Sequence, residues 1–230
     1  MKIYGLQKMT LLDYPGRIAC TVFLSGCDMR CPFCHNSGLA AGREEPVMTE
    51  EELLGFLRKR QGLLEGVAVT GGEPLLREET LELLKKIREL GYPVKLDTNG
   101  THPDRLRRAL SEGLAQYVAM DLKNSPDRYA ETVGLERFDL APVRESAALL
   151  MESGTDYEFR TTVVREFHNE SSFRAMGEWI RGAAEYFLQP FTDRDTVPRR
   201  GLTAPDREEL QAWAEIMRGY VREVGIRGNS

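Results

Sequence analysis

Short runs of apolar and β-branched residues alternate with longer amphipathic segments along most of this 230-residue chain. This alternation is typical of βα units built around a parallel sheet. Six runs predict buried strands, over residues 18–24, 67–70, 93–98, 117–122, 157–164 and 186–189. Because six units are too few to close a barrel, we expect an α/β fold in the form of a partial, TIM-like (βα)6 barrel.

Helix signals lie between these strands. Thr49 is followed three residues later by Glu52, a capping box that predicts a helix over residues 50–60. Thr203 and Asp206 predict the start of the last helix, over residues 205–224. The remaining helices are expected over residues 77–90, 104–111, 141–153 and 169–182.

We expect one domain over residues 1–230. It comprises an N-terminal extension (1–17), the βα core (18–190), and a final loop with the C-terminal helix (191–230), which ends in a frayed Gly228-Asn229-Ser230.

A hydrophobic content of 41% with 29% charged residues is ordinary for a globular protein, and no apolar run approaches the roughly 18 residues of a membrane span. The net charge of −5 disfavours a nucleic-acid surface, which requires a basic face. The N-terminus carries no apolar signal segment, so we expect a cytoplasmic protein with reduced cysteines.

Three of the four cysteines, Cys27, Cys31 and Cys34, form a C-x3-C-x2-C pattern within eight residues. Three thiolates on one short loop are able to bind three irons of a [4Fe–4S] cluster and leave the fourth iron without a protein ligand. An iron without a protein ligand is free to bind and activate a small molecule. Cys20 stands inside an apolar run, where a buried, unreactive thiol is the simplest interpretation.

Other interpretations of these cysteines remain open. Cys31 to His35 matches C-x-x-C-H, the attachment motif of c-type haem, but that chemistry needs export and makes no use of Cys27. A structural zinc bound by the three cysteines and His35 is chemically reasonable, although adjacent Cys34 and His35 would be an unusual ligand pair. A dithiol redox pair at Cys31 and Cys34 leaves the third thiol unexplained.

Polar or glycine-rich residues follow each predicted strand. The cysteines follow the first strand, Gly71-Gly72-Glu73-Pro74 the second, and Asp97-Thr98-Asn99-Gly100 the third. Asp121-Leu122-Lys123 ends the fourth, Arg160 lies within the fifth, and Gln189-Pro190 closes the sixth. Because the carboxyl ends of barrel strands meet at one rim, these residues predict a single site there. His102 and His168 have no evident partner and are assigned no role.

The cysteine loop, with Phe33 before the last cysteine, resembles that of the radical S-adenosylmethionine (SAM) superfamily. The segments 5–16 and 21–23, Cys34-His35-Asn36, and the GGEP, DTNG and DLK motifs resemble the anaerobic ribonucleoside-triphosphate reductase activating proteins. The resemblance implies a [4Fe–4S] cluster and SAM, whose one-electron cleavage yields a 5′-deoxyadenosyl radical. Because cluster and SAM carry the chemistry, no protein side chain is expected to act as a catalytic acid or base.

The resemblance also implies residue roles. Cys27, Cys31 and Cys34 would bind the cluster, Phe33 would border the adenine, and Gly71, Gly72 and Glu73 would accept hydrogen bonds from the SAM ammonium. Thr98, Asn99, Asp121, Lys123, Arg160 and Gln189 would complete the SAM site. By analogy with activating enzymes, Asp97, Thr98, the main-chain carbonyl of Met120, and Asp121 would line a monovalent cation.

The implied function is activation of a glycyl radical enzyme, most specifically an anaerobic ribonucleotide reductase, with flavodoxin or ferredoxin as electron donor. Two alternatives stay open: a radical SAM enzyme that forms a deazaguanine from a small molecule, and a non-catalytic iron–sulfur module. Anaerobic SAM cleavage separates the enzymes from the module.

Overall fold

The structure, a computed structural model, describes residues 1–228; Asn229 and Ser230, predicted to belong to a frayed end, lie outside the described residues. The strands are β1 (Lys2–Ile3), β2 (Gly5–Thr10), β3 (Ala19–Leu24), β4 (Met48–Thr49), β5 (Gly66–Gly71), β6 (Val94–Thr98), β7 (Tyr117–Asp121), β8 (Asp156–Val163), β9 (Glu185–Pro190) and β10 (Glu223–Ile226). The helices are α1 (Ser37–Ala40), α2 (Glu50–Lys59), α3 (Glu79–Glu89), α4 (Pro103–Ser111), α5 (Tyr129–Thr132), α6 (Ala141–Glu152), α7 (Glu170–Trp179) and α8 (Arg207–Arg218), with a 3-10 turn over Pro74–Leu76.

Eight strands form one sheet in the order β10-β9-β8-β7-β6-β5-β3-β2. Neighbouring strands pair in parallel, except that β2 pairs antiparallel with β3. β10 and β2 lie at opposite edges, so the sheet stays open, and β1 pairs separately with β4. The six predicted strands correspond to β3 and to β5 through β9. The α/β class and the partial barrel are therefore confirmed.

The two edge strands were not predicted. β2 lies within the N-terminal extension, and β10 lies where the sequence predicted the end of the last helix. That prediction was wrong at its C-terminal end: α8 ends at Arg218, and Val224 pairs with Tyr186 of β9. Val221 and Val224, three residues apart, suit a helix in sequence, but the unpaired edge of β9 gives this segment strand hydrogen bonds instead.

Helix starts agree with their polar signals more closely than helix ends do. Thr49 and Glu52 form the predicted capping box at the start of α2. At α8 the cap is Asp206, whose side chain accepts a hydrogen bond from the Glu209 main chain. The predicted contribution of Thr203 to that start was wrong, because its hydroxyl donates to Glu166, 2.7 Å away.

Successive residues of β8 face opposite sides of the sheet, as pleating requires. Arg160 and Thr162 line a cavity inside the barrel, whereas Thr161 faces outward and contacts Met176 of α7. The helices thus cover the outer face and leave the inner face for polar side chains. Within the described part of the chain, none of these helices has the length and apolar character needed to cross a membrane.

Candidate active site

A cavity of about 580 Å³ opens at the carboxyl ends of the parallel strands. It lies within the size range typical of ligand pockets, which is roughly 300–1,000 Å³. The structure brings nearly all of the predicted site residues to its wall: Cys27, Cys31, Phe33, Cys34, Gly71, Gly72, Asp97, Thr98, Asn99, Asp121, Lys123, Arg160 and Gln189. Glu73 and Met120 are predicted site residues that do not line this cavity.

The cysteine loop, residues 27–34, follows β3 and is held by main-chain hydrogen bonds from three directions. The Arg30 amide donates to the Val133 carbonyl at 2.9 Å, and the Arg199 amide donates to the Pro32 carbonyl at 3.0 Å. At the base of the loop, the Gly26 amide donates to the Leu39 carbonyl at 2.9 Å. These contacts fix the loop against the segments that follow β7 and β9 and against α1 itself.

The three loop cysteines are free thiols with raised pKa values. Burial raises the pKa of Cys27 to about 12 and that of Cys31 to about 11, and it also raises the pKa of Cys34. Metal ligation requires thiolates, so the loop must release protons when it binds iron. Cys20 is free too, but it is fully buried in β3 and does not line the cavity.

His35 points away from a shared metal site. Its Nε2 lies 2.6 Å from the Thr192 carbonyl oxygen, and its ring stacks on Phe191 with centroids 5.7 Å apart. Within residues 1–228, no group of three or more Cys, His, Asp or Glu side chains is placed to hold a single metal ion. A [4Fe–4S] cluster binds each thiolate at a different iron, so its fit does not need the thiols to converge on one point.

Gly71 and Gly72 are required by contact with the chain's own backbone. A Cβ on Gly71 would lie 2.1 Å from the Leu24 carbonyl oxygen, and one on Gly72 would lie 2.0 Å from the Gly26 carbonyl oxygen. Both glycines also line the cavity, and their predicted close approach to SAM stays a prediction. The Gly71 carbonyl, expected to bind the SAM ammonium, accepts a hydrogen bond from Asn36 at 3.0 Å.

Glu73 is buried beneath the cavity, with 2% of its surface exposed. Its carboxylate accepts hydrogen bonds from the Leu75 amide at 2.9 Å, the Thr98 hydroxyl at 2.8 Å and the Asn99 amide at 2.6 Å. Burial outweighs these three hydrogen bonds and raises the pKa of Glu73 to about 7. Glu73 therefore fastens the turn after β5 to the end of β6, and its contact with the SAM ammonium stays a prediction.

Asp97 and Asp121 belong to a charged network on the inner face of the sheet. Arg160 bridges them, with Nη2 3.0 Å from Asp97 and Nε 2.5 Å from Asp121. Lys95 pairs with the other oxygen of Asp97, and Lys123 lies 2.8 Å from Asp121. Burial opposes ionisation of both aspartates, but Arg160 with these lysines lowers their pKa values below the usual range.

The monovalent cation predicted at Asp97, Thr98, Met120 and Asp121 must be judged against this network. Both carboxylates already face positively charged side chains of the chain itself. The cation site therefore remains a prediction.

Two residues without a predicted role, Asp28 within the cysteine loop and His102 after β6, face each other. Asp28 accepts a hydrogen bond from Asn99 Nδ2 at 3.0 Å, and its other oxygen lies 3.1 Å from Nε2 of His102. Burial opposes ionisation of Asp28, but His102, Thr101 and Asn99 lower its pKa to about 2. His168 is structural: its Nε2 donates to the Lys123 carbonyl at 2.9 Å. In the sequence, the link between His102 and the predicted site is its position three residues after Asn99.

The sequence predicts only a loop after β9. In the structure this segment forms one wall of the cavity through residues 195–198. The Ser37 hydroxyl donates to the Thr196 carbonyl at 2.5 Å, which joins this segment to the start of α1. Arg199 lies 5.7 Å from the ring centroid of Phe167, which also packs against Phe33. No sequence motif marked this segment.

The residues present fit a [4Fe–4S] cluster with SAM. Three free thiols on one loop face a cavity whose wall carries both positive and negative side chains. SAM carries an ammonium, a carboxylate and a sulfonium, so a wall with charges of both signs is chemically suited to it. Thr98, Asn99 and Gln189 add polar groups to that wall.

The model of the family described as the radical SAM superfamily matches residues 21–180. The chain is 29% identical to a glycyl-radical enzyme activating enzyme of Methanocaldococcus jannaschii over 234 residues, which cover 98% of this chain and 95% of that protein. It is 38% identical to the 7-carboxy-7-deazaguanine synthase of Hyperthermus butylicus over 215 residues, covering 88% of this chain and 76% of the relative.

Solved structures share the fold. Streptococcus suis SuiB bound to S-adenosylmethionine matches with a TM-score of 0.67 at 14% identity, covering 90% of this chain and 52% of that one. At this identity the likeness establishes the fold alone. A [4Fe–4S] cluster and SAM follow from the family, because its model covers well over half of the chain, including the three cysteines. On this evidence the protein belongs to the radical SAM superfamily.

Proposed function

We propose that this protein is an activase that forms a glycyl radical on a partner enzyme. The observation that carries the proposal is the near end-to-end similarity to the Methanocaldococcus jannaschii activating enzyme, over 98% of this chain and 95% of that one. A match of this extent means that the two chains share one minimal architecture. The N-terminal resemblance over residues 5–16 narrows the proposed partner to an anaerobic ribonucleotide reductase.

When bound, the cluster and SAM supply a one-electron cleavage of the sulfonium and a carbon-centred radical. The chain's own task is to bind and orient them. Cys27, Cys31 and Cys34 would hold three irons, while Lys123 and Arg160 place positive charge at the wall for the SAM carboxylate. Asp97 and Asp121 keep these two cations in place, and Phe33 offers an apolar surface for the adenine.

The partner's glycine loop must reach the cavity. The sheet is open between β2 and β10, and the cavity opens at the strand ends, so a peptide loop has access without a large rearrangement. The hydrogen atom would leave the glycine Cα and join the 5′ carbon, which gives 5′-deoxyadenosine and a glycyl radical. A flavodoxin or a ferredoxin is proposed as the electron donor, in a reducing cytoplasm that suits four free thiols.

The test combines this protein, SAM, a reductant and an anaerobic ribonucleotide reductase labelled with [2-²H]glycine, without oxygen. We expect a glycine-centred signal by EPR and deuterium in the 5′-deoxyadenosine by mass spectrometry. A partner whose radical-site glycine is replaced by alanine is the matched control and must give neither. SAM cleavage without deuterium transfer or partner radical would refute the activase proposal.

A second candidate is favoured by one observation, the 38% identity to the Hyperthermus butylicus 7-carboxy-7-deazaguanine synthase. Under this proposal the cavity would take a small heterocycle next to SAM in place of a peptide loop. The measurement is anaerobic incubation with carboxylated pterins and detection of 7-carboxy-7-deazaguanine by mass spectrometry. Product formation with turnover, together with no radical on the reductase, would decide for this candidate.

A further inference from the structure

We infer that Asn99 and His102 are positioning residues for the cysteine loop, and that Asn99 raises the reduction potential of the cluster by donating a hydrogen bond to Cys27, in addition to the one that the Met29 amide donates to the same sulfur. The inference concerns the cluster that the superfamily binds, and it does not depend on which partner or substrate the protein serves. It rests on three contacts between the loop after β6 and the cysteine loop.

The first contacts are made by the Asn99 amide. Its Nδ2 lies 3.7 Å from Cys27 Sγ and 3.0 Å from Asp28 Oδ1. Asn99 is 5% exposed, so its amide is largely shielded from water, whereas Cys27 is half-buried and the Asp28 side chain is 31% exposed. One side chain from the end of β6 therefore reaches both a proposed cluster ligand and the residue next to it.

The orientation of that amide follows from its other partners. Asn99 Oδ1 accepts hydrogen bonds from the Thr101 amide at 3.0 Å and the Thr101 hydroxyl at 2.6 Å. Since two donors face this atom, it must be the oxygen, and the nitrogen must point to Cys27. The Asn99 main-chain amide donates to the buried Glu73 at 2.6 Å, which fixes the backbone as well.

His102 holds the opposite oxygen of Asp28. Its Nδ1 lies 3.2 Å from Arg105 Nη1, and a guanidinium only donates, so Nδ1 accepts and Nε2 carries the proton. Nε2 is buried and lies 3.1 Å from Asp28 Oδ2, at a distance suited to a hydrogen bond but without its directionality. The contact is therefore a short electrostatic one between an N–H dipole and a carboxylate.

Arg105 in turn is anchored, since its Nη1 donates to the Leu75 and Leu76 carbonyls at 2.8 and 3.0 Å. The chain of contacts thus runs from the turn after β5 through Arg105 and His102 to Asp28. Together with Asn99 it clamps the residue that directly follows Cys27. Such a clamp restrains the Cys27 backbone before any iron arrives.

The chemical consequence lies at the cluster sulfur. Reduction adds negative charge to the cluster and its thiolates, and a hydrogen-bond donor stabilises the reduced state more than the oxidised one. The Asn99 N–H therefore makes the cluster easier to reduce. The Asp28 carboxylate, 3.9 Å from Cys27 Sγ, acts in the opposite sense, and the clamp keeps it turned toward its two donors.

The first test is an anaerobic redox titration of the reconstituted, SAM-free protein, followed by EPR of the reduced cluster. Asn99→Leu keeps the side-chain volume and removes the donor, so we expect a more negative midpoint potential at full iron content. Asn124→Leu is the matched control: Asn124 is a fully buried asparagine whose amide donates to Thr132 and to the Phe167 carbonyl, and its loss should leave the potential unchanged. Equal potentials in the two variants would overturn the inference.

The second test measures the rate of iron release to a chelator. We expect faster release from His102→Leu than from the wild type, and recovery in His102→Gln, whose amide again offers a donor to Asp28.

Asp28→Asn is the alternative variant for the redox titration if Asn99→Leu does not fold. It keeps the loop's shape and removes the negative charge, so it should raise the midpoint potential. Release from His102→Leu at the wild-type rate, or an unchanged potential in Asp28→Asn, would contradict the clamp. None of these readouts involves the partner enzyme, so failure of the activase proposal would leave them unaffected.

Discussion

Arg160 of β8 is the direct cross-strand neighbour of Asp121 of β7, and its Nε lies 2.5 Å from Asp121 Oδ1. The same guanidinium reaches Asp97 of β6 at 3.0 Å, so one side chain neutralises carboxylates from two other strands. Its own side chain is 14% exposed, which leaves little water to screen the network. The inner face of the sheet at this level is therefore held together by charge rather than by apolar packing.

Replacing Arg160 with leucine should destabilise the protein by about 3 kcal/mol, since it removes the charge-assisted hydrogen bonds that bridge Asp97 and Asp121 and leaves each carboxylate with its lysine alone. Urea unfolding of the cluster-free protein measures this change. The control is Arg218→Leu, an exposed arginine that pairs with Glu215 three residues away on α8, and its effect should stay within about 0.5 kcal/mol. Equal stability of Arg160→Leu and Arg218→Leu would mean that the network contributes nothing.

The charged network also predicts how the enzyme responds to monovalent cations. Because Lys95, Arg160 and Lys123 already face Asp97 and Asp121, SAM cleavage by the wild type should be the same in sodium, potassium or tetramethylammonium salts at equal ionic strength. Lys95→Ala removes one of these charges and should make the rate depend on sodium or potassium. Stimulation of the wild type as strong as that of Lys95→Ala would favour the bound-cation prediction.

The cysteine assignment predicts a sharp difference between the four thiols. Anaerobic reconstitution of the wild type should give about four irons per chain. Alanine at Cys27, Cys31 or Cys34 should abolish SAM cleavage and the cluster's visible absorption. Cys20→Ala, in fully buried β3, should keep both and lose only some stability through the small cavity it leaves. Full activity in Cys27→Ala would remove that residue from the ligand set.

Glu73 predicts a pH dependence of stability in the protein without ligands. Its carboxyl has a pKa of about 7 in the folded state and 4.5 as the ordinary value, so the folded state binds more protons between these limits. The resulting stabilisation is complete below about pH 4.5 and is lost as the pH rises through about 7, by an amount on the order of 3 kcal/mol.

The measurement is urea unfolding at fixed pH values across that window. Glu73→Gln cannot ionise, so its free energy of unfolding should vary less with pH than that of the wild type. Glu78→Gln, at a half-exposed carboxylate five residues further along, controls for the loss of an acidic group. Parallel pH profiles of the wild type and Glu73→Gln would mean that Glu73 stays ionised throughout.

Much of the fold was readable because parallel strands covered on both faces appear as continuous apolar runs. The six core strands were located within a residue or two, and their carboxyl ends brought Gly71, Asp97, Asp121 and Gln189 to one cavity as expected. The edge strand β10 was missed because an apolar spacing of three residues satisfies a helix equally well. Only the free edge of β9 selects the strand.

The sequence by itself determined which chemistry the site carries, because cysteine spacing on one short loop is local information. It could not determine which partner each polar side chain takes. Glu73 binds Asn99, and His102 faces Asp28, across 26 and 74 positions of sequence. Such pairings depend on how loops from different strands pack at the rim, and burial then decides which polar groups must satisfy one another inside the protein before any ligand arrives.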